Sequence, residues 1–167
     1  MDQALQWRPR RLLRVDGSHL VSDPQQLLSD SALTVFRLNG QFLAVAEALA
    51  APAGLTATRW QVLGAVLSEP LSVSDIAREM GITRQSVQRT ADLLAEQGLV
   101  TFRDNPAHRR AKLVDITEAG LSAVRLINPG HSEMARRLSE IIDETTWAAA
   151  LSGLQELSDA LHRLDRL

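Results

Sequence analysis

The chain has 167 residues, 45% apolar and 23% charged, with 18 Lys and Arg against 20 Asp and Glu for a formal charge of −2. That composition describes a folded chain with a real core, not a disordered or fibrous one. The absence of cysteine excludes a disulfide framework, a cysteine zinc site, a thiol nucleophile and thiol redox chemistry. No run of eighteen apolar residues and no apolar signal core is present, so the cytoplasm is the expected compartment and no membrane partner is expected. The small net charge hides an uneven distribution. Residues 1–14 net +3 through Arg8, Arg10, Arg11 and Arg14 against Asp2, and residues 103–112 net +3 through Arg103, Arg109, Arg110 and Lys112 against Asp104. From Glu133 onward seven acids face four arginines, a net of −3. Basic character is thus gathered into two short segments, as contact with a polyanion requires.

Residues 1–23 show no sustained period and read as an arm. From Pro24 to Ala51 the apolar positions Leu28, Leu33, Phe36, Phe42, Val45 and Leu49 predict a helix, ended by Ala51-Pro52-Ala53-Gly54. A second helix is predicted after Thr56, through Trp60, Val62, Leu63, Val66 and Leu67, stopping near Glu69-Pro70. Ser72-Val73-Ser74-Asp75 has the hydroxyl-to-carboxylate spacing of a helix start, and the short helix it opens runs to Met80. Gly81 supplies the positive φ of a tight exit, Thr83 caps the next helix, and that helix ends at Gly98. Residues 99–103 and 111–116 read as two strands joined by the polar loop 104–110, a hairpin with a basic tip. Thr117-Glu118 opens a further helix that Asn128-Pro129-Gly130 is expected to break or kink. The last helix carries Trp147, Leu151, Leu154, Leu157, Leu161 and Leu164 at three-and-four spacing, a stripe that must be buried against something.

The central pair of helices fits a helix-turn-helix: small Ala77 at the crossing, Gly81 in the turn, Val87 facing the core. Thr90 occupies a position where a larger apolar side chain is expected. At 100° per residue from Val87, Ala91 and Leu94 point inward, while Gln85, Arg89, Asp92 and Glu96 point outward. Gln85, Ser86 and Arg89 are the candidate base readers, because glutamine pairs with adenine N6/N7 and arginine with guanine O6/N7 in the major groove. Thr83, Arg84 and Gln88 flank them and are the candidate phosphate contacts, favoured by the positive end of the helix dipole.

The segments Leu71 to Ala77, Gly81 to Val87, Leu94 to Val100, and Arg109-Arg110 leading into Ile116-Thr117-Glu118-Ala119-Gly120 resemble the MarR (multiple antibiotic resistance regulator) family of winged-helix transcription factors. By order of elements the resemblance extends over about residues 30–165. It implies a mainly α fold with a small β-hairpin, a winged helix-turn-helix domain over 56–116, and dimerisation helices over 24–55 and 117–167. It also implies a minor-groove wing built on Arg103, His108, Arg109 and Arg110. In the family an aspartate commonly precedes the arginine pair; here that residue is His108, which makes the affinity for DNA sensitive to pH. Two further implications are a homodimer held through Trp147, Leu151, Leu154 and Leu157, and an effector pocket for a small aromatic or phenolic molecule near Phe36, Arg37, Phe42, Arg59, Trp60 and His131.

Competing chemistry is poorly supplied. His19, His108, His131 and His162 are scattered without ligand spacing, and neither a nucleophile elbow nor a phosphate-cradling glycine loop is present, so no metal, cofactor or enzymatic activity is expected. The function expected is a homodimeric transcriptional regulator, a repressor, that binds a pseudo-palindromic operator in double-stranded DNA. The alternative is a winged-helix module that contacts protein instead, since fold alone does not decide function.

Overall fold

The computed structural model describes residues 23–108 and 110–164. The basic arm expected before residue 23, and the wing residue Arg109, lie outside them. The chain divides at Gly40 into two compact units. In the first, the opening turns of helix α1 (Pro24–Ala50) leave Leu27, Leu28, Leu33 and Phe36 exposed. The second unit begins within α1 at Gln41 and contains every other element. Among the described residues no helix is long and apolar enough to cross a membrane.

After α1, a single 3-10 turn (Ala51–Ala53) ends at Gly54, and α2 follows over Ala57–Ala65. Thr56 caps α2 by accepting from the Arg59 amide, and the Glu47 carboxylate of α1 accepts from Ala57 N–H at 2.6 Å. This helix stops short of Pro70, the breaker expected to end it. Its last amides tighten onto carbonyls three residues back, Val66 on Leu63 and Leu67 on Gly64, which turns the chain toward the sheet. There Leu71–Ser72 forms a strand, β1, that periodicity did not reveal. It pairs with β3 (Leu113–Ile116), which also pairs with β2 (Val100–Arg103), so the expected hairpin is a three-stranded antiparallel sheet in the order β1-β3-β2.

Helix α3 (Val73–Met80) starts on Ser72, whose hydroxyl accepts from Asp75 N–H and donates to the Asp75 carboxylate. That bond, and then Arg78 beside it, hold the Asp75 carboxyl below its ordinary value. Gly81 exits α3 at φ 62°, the left-handed conformation a side chain would disfavour. Helix α4 (Arg84–Glu96) crosses α3 and buries Val87, Ala91 and Leu94. Thr90 is buried beside them without penalty, since its hydroxyl donates to the Ser86 carbonyl at 3.0 Å. These side chains join Val62, Leu63, Ile76, Val100, Val114 and Ile127 in one core.

Helix α5 is continuous over Glu118–Ser139 with Pro129 inside it, so of the expected break or kink the break does not occur. Proline removes one hydrogen bond, while side chains pack on both sides of it: Val124 and Ile127 in the core, His131, Met134 and Leu138 around a cavity described below. Gly130 permits close approach to α1, since a Cβ there would lie 3.1 Å from Leu49 Cδ2. The final helix, α6 (Glu144–Leu164), buries none of its residues in the single chain.

Candidate nucleic-acid interface

Helix α4 is fixed from both ends of its sequence pattern. Thr83 Oγ1 accepts from Ser86 N–H at 3.2 Å and starts the helix in register. With the inner face committed to the core, the opposite face leaves Arg84, Gln85, Ser86, Arg89, Asp92 and Glu96 exposed, and Gln88 half-buried. The candidate base readers Gln85, Ser86 and Arg89 therefore share one accessible surface with the candidate phosphate contacts Arg84 and Gln88. Gln88 is not idle there: its Nε2 donates to Asp92 Oδ1 at 2.8 Å.

The wing tip is organised by Asn105. Its side-chain oxygen accepts from the amides of Ala107 and His108, and the His108 carbonyl in turn accepts from Ala111 N–H. The backbone of His108 is thus built into the turn, and its side chain is exposed. Arg103, expected as a wing contact, pairs across the hairpin with Asp115 at 2.7 Å, which leaves part of its five-donor fork available. Arg110 is exposed on the loop.

Two open grooves flank α4. One, of about 730 Å³, lies along its outer face and includes Gln85, Arg89 and Glu96. The other, of about 340 Å³, is bounded by the start of α3, by α4 and by the wing, and brings Arg84, Arg110 and Lys112 together with Ser74, Gln88 and Asp92. Lys112 and Ser74 were not singled out in the sequence. Lys112 sits in a segment read as strand, but the ladder begins only at Leu113, so the lysine belongs to the loop and faces the groove. Its membership of the basic run 103–112 was the available signal.

A separate cavity of about 220 Å³ lies among α1, α2, α5 and α6 in the second unit. Phe42, Trp60 and His131, three of the six expected effector-pocket residues, line it, with Trp60 and His131 meeting edge to face at 5.9 Å. Arg59 is not among its lining residues, and Phe36 and Arg37 belong to the other unit. Trp147, read as part of the dimer stripe, lines this cavity, and among the described residues no Asp, Glu, Lys or Arg does.

A MarR family model matches residues 53–111. An uncharacterized protein of Mycobacterium tuberculosis is 36% identical over 127 residues, which are 76% of this chain and 89% of that protein. Among solved structures, a MarR family transcriptional regulator from Rhodococcus sp. RHA1 is 26% identical, with 78% of this chain and 94% of that one covered at a TM-score of 0.65. CouR from Rhodococcus jostii RHA1, bound to p-coumaroyl-CoA, is also 26% identical, with 78% and 93% covered and a TM-score of 0.63. A mutant of MarR from Escherichia coli, complexed with operator DNA, shares the fold at 17% identity, with 81% and 99% covered and a TM-score of 0.69.

Proposed function

Since the chain belongs to the MarR family of winged-helix DNA-binding transcription regulators, we propose that it is a homodimeric repressor of a pseudo-palindromic operator. In this reading residues 56–116 are the DNA-binding domain, and residues 24–55 and 117–167 supply the dimer contacts. Helix α4 enters the major groove with Gln85, Ser86 and Arg89 toward base edges, and the wing reaches the adjacent minor groove through Arg103, His108, Arg109 and Arg110. The two α4 helices of a dimer then lie about one helical turn, ~34 Å, apart. The observation that carries this reading is the groove where Arg84 of α4 and Arg110 and Lys112 of the wing converge on the side that α4 leaves open. Three cations gathered there from α4 and the wing suit a phosphate backbone better than a solvated helix face.

The test is the salt dependence of binding to duplex DNA from the source genome, measured by fluorescence anisotropy. Replacing Arg110 and Lys112 together with alanine should flatten the slope of log affinity against log salt by about 2, roughly 0.9 per lost phosphate contact. An unchanged slope would remove the wing from the interface.

The cavity beside Trp60 supports an effector. Its described lining is apolar and aromatic around His131, whose ring N–H can donate to a hydroxyl or a carboxylate, so the ligand class is a small aromatic molecule such as a phenol. Titration with phenol should quench tryptophan emission and weaken operator binding. Phenol that leaves both unchanged would remove the cavity as an effector site for this class.

A further inference from the structure

A carboxylate in the middle of a phosphate-facing surface calls for a reason. Asp92 lines both grooves beside α4, in the company of Arg84 and Arg89 in one and of Arg84, Arg110 and Lys112 in the other. For indiscriminate attraction to DNA it is a liability, because it repels the backbone that the arginines attract. Its hydrogen-bond partner is the amide of Gln88, one helical turn earlier, at 2.8 Å.

That bond decides which way the amide faces. A glutamine amide is ambidextrous, with two donor hydrogens on nitrogen and an acceptor oxygen, and a free one turns to suit whatever it meets. An ionised carboxylate only accepts, so the side of the amide that meets Asp92 must be its nitrogen. The carbonyl oxygen is left to meet what lies opposite, and Gln88, half-buried at the junction of the two grooves, has little freedom to swing away. Resting on the DNA-binding reading above, we infer that Gln88 and Asp92 form one base-reading unit. Asp92 is the positioning residue and Gln88 presents its carbonyl oxygen to an exocyclic amino group, adenine N6 or cytosine N4, in the major groove. This reassigns Gln88 from the phosphate contact expected from its place in the helix. The second amide N–H could reach a phosphate oxygen, but that phosphate could not bond the carbonyl, both being acceptors, and would sit against the charge of Asp92.

The chemistry discriminates between substitutions. Asp92→Asn keeps the size and can still bond Gln88, but asparagine both donates and accepts, so the amide of Gln88 is free to reverse and offer N–H to guanine O6 or N7 or to thymine O4. Asp92→Glu keeps an acceptor-only group within reach. The experiment is selection of bound duplexes from a randomised library, followed by sequencing, for the full-length wild type and for D92N, D92E and Q88A, with thermal melts to confirm equal folding. Under Asp92→Asn, guanine or thymine should rise by about fivefold or more at one position of each half-site. Gln88→Ala should erase the preference at that same position, and Asp92→Glu should retain the wild-type pattern. Wild-type base frequencies under Asp92→Asn, or a different position affected by Gln88→Ala, would overturn the inference while DNA binding stands. A wild type that enriches nothing would instead overturn the DNA-binding reading beneath it.

Discussion

Gly120→Ala should lower the unfolding free energy by about 3 kcal/mol or more, at the upper end of what one extra methyl group in a packed interior costs. Gly120 is buried in the first turn of α5, and a Cβ there would stand 2.2 Å from the Leu99 carbonyl oxygen and 2.8 Å from Ile116 Cγ1. The nearer atom is backbone, so no rotamer change relieves the overlap. Moving Leu99 is costly because the same place ties three elements together. Thr117 N–H donates to the Leu99 carbonyl, Thr117 Oγ1 donates to the Gly98 carbonyl, and that same oxygen accepts from Gly120 N–H to cap α5. The end of α4, the exit of the wing and the start of α5 would all have to shift. Urea denaturation should show a large fall in midpoint at unchanged slope. A midpoint within about 0.5 kcal/mol of wild type, the range of a neutral surface change, would mean that the junction is looser than these distances indicate.

Leu151→Asp with Leu154→Asp should convert the protein to monomer and weaken operator binding by about 10²–10³-fold, the loss expected when two half-site contacts cease to be linked. In the single chain these side chains are 52% and 40% exposed, on a helix that buries none of its residues. A 21-residue amphipathic helix left this bare is unfavourable in water, and each leucine covered by a partner contributes about 1.5–3 kcal/mol. Two aspartates per protomer would place like charges in the seam as well as remove the apolar area. Light scattering reports the mass and anisotropy the affinity. A dimer that survives both substitutions would move the interface off α6. A monomer that binds the full operator as tightly as wild type would remove dimerisation from recognition.

Much of the winged domain was legible because its signals are local. A hydroxyl before each helix, a glycine in the turn and apolar residues at three-and-four spacing specify α3 and α4 almost to the residue, and Val87, Ala91 and Leu94 lie buried where that spacing puts them. Where the decisive partner is distant in sequence, the signal fades. A strand of two residues has no alternation to detect, and β1 exists only because Leu71 and Ser72 meet Val114 and Leu113 some forty positions later. Lys112 reads as strand because apolar residues surround it, whereas the ladder, and with it the loop's end, is set by pairing. Trp147 shares the period of the α6 leucines, yet it lines the cavity with Trp60 and His131; periodicity identifies a face and not what that face meets. At Pro129 the opposite holds: of the break or kink that the local signal allows, the break does not occur, because packing on either side carries α5 through it.

That proline has a mechanical corollary. Lacking an N–H, it leaves the Arg125 carbonyl without its helical donor, so α5 is a rod with one rung missing, placed between the stretch anchored in the core by Val124 and Ile127 and the stretch walling the aromatic cavity from His131 to Leu138. Bending stiffness is lowest at that gap. Under the effector proposal, a guest that wedged the cavity open would act on the segment beyond the joint, and could tilt it without first having to melt the helix.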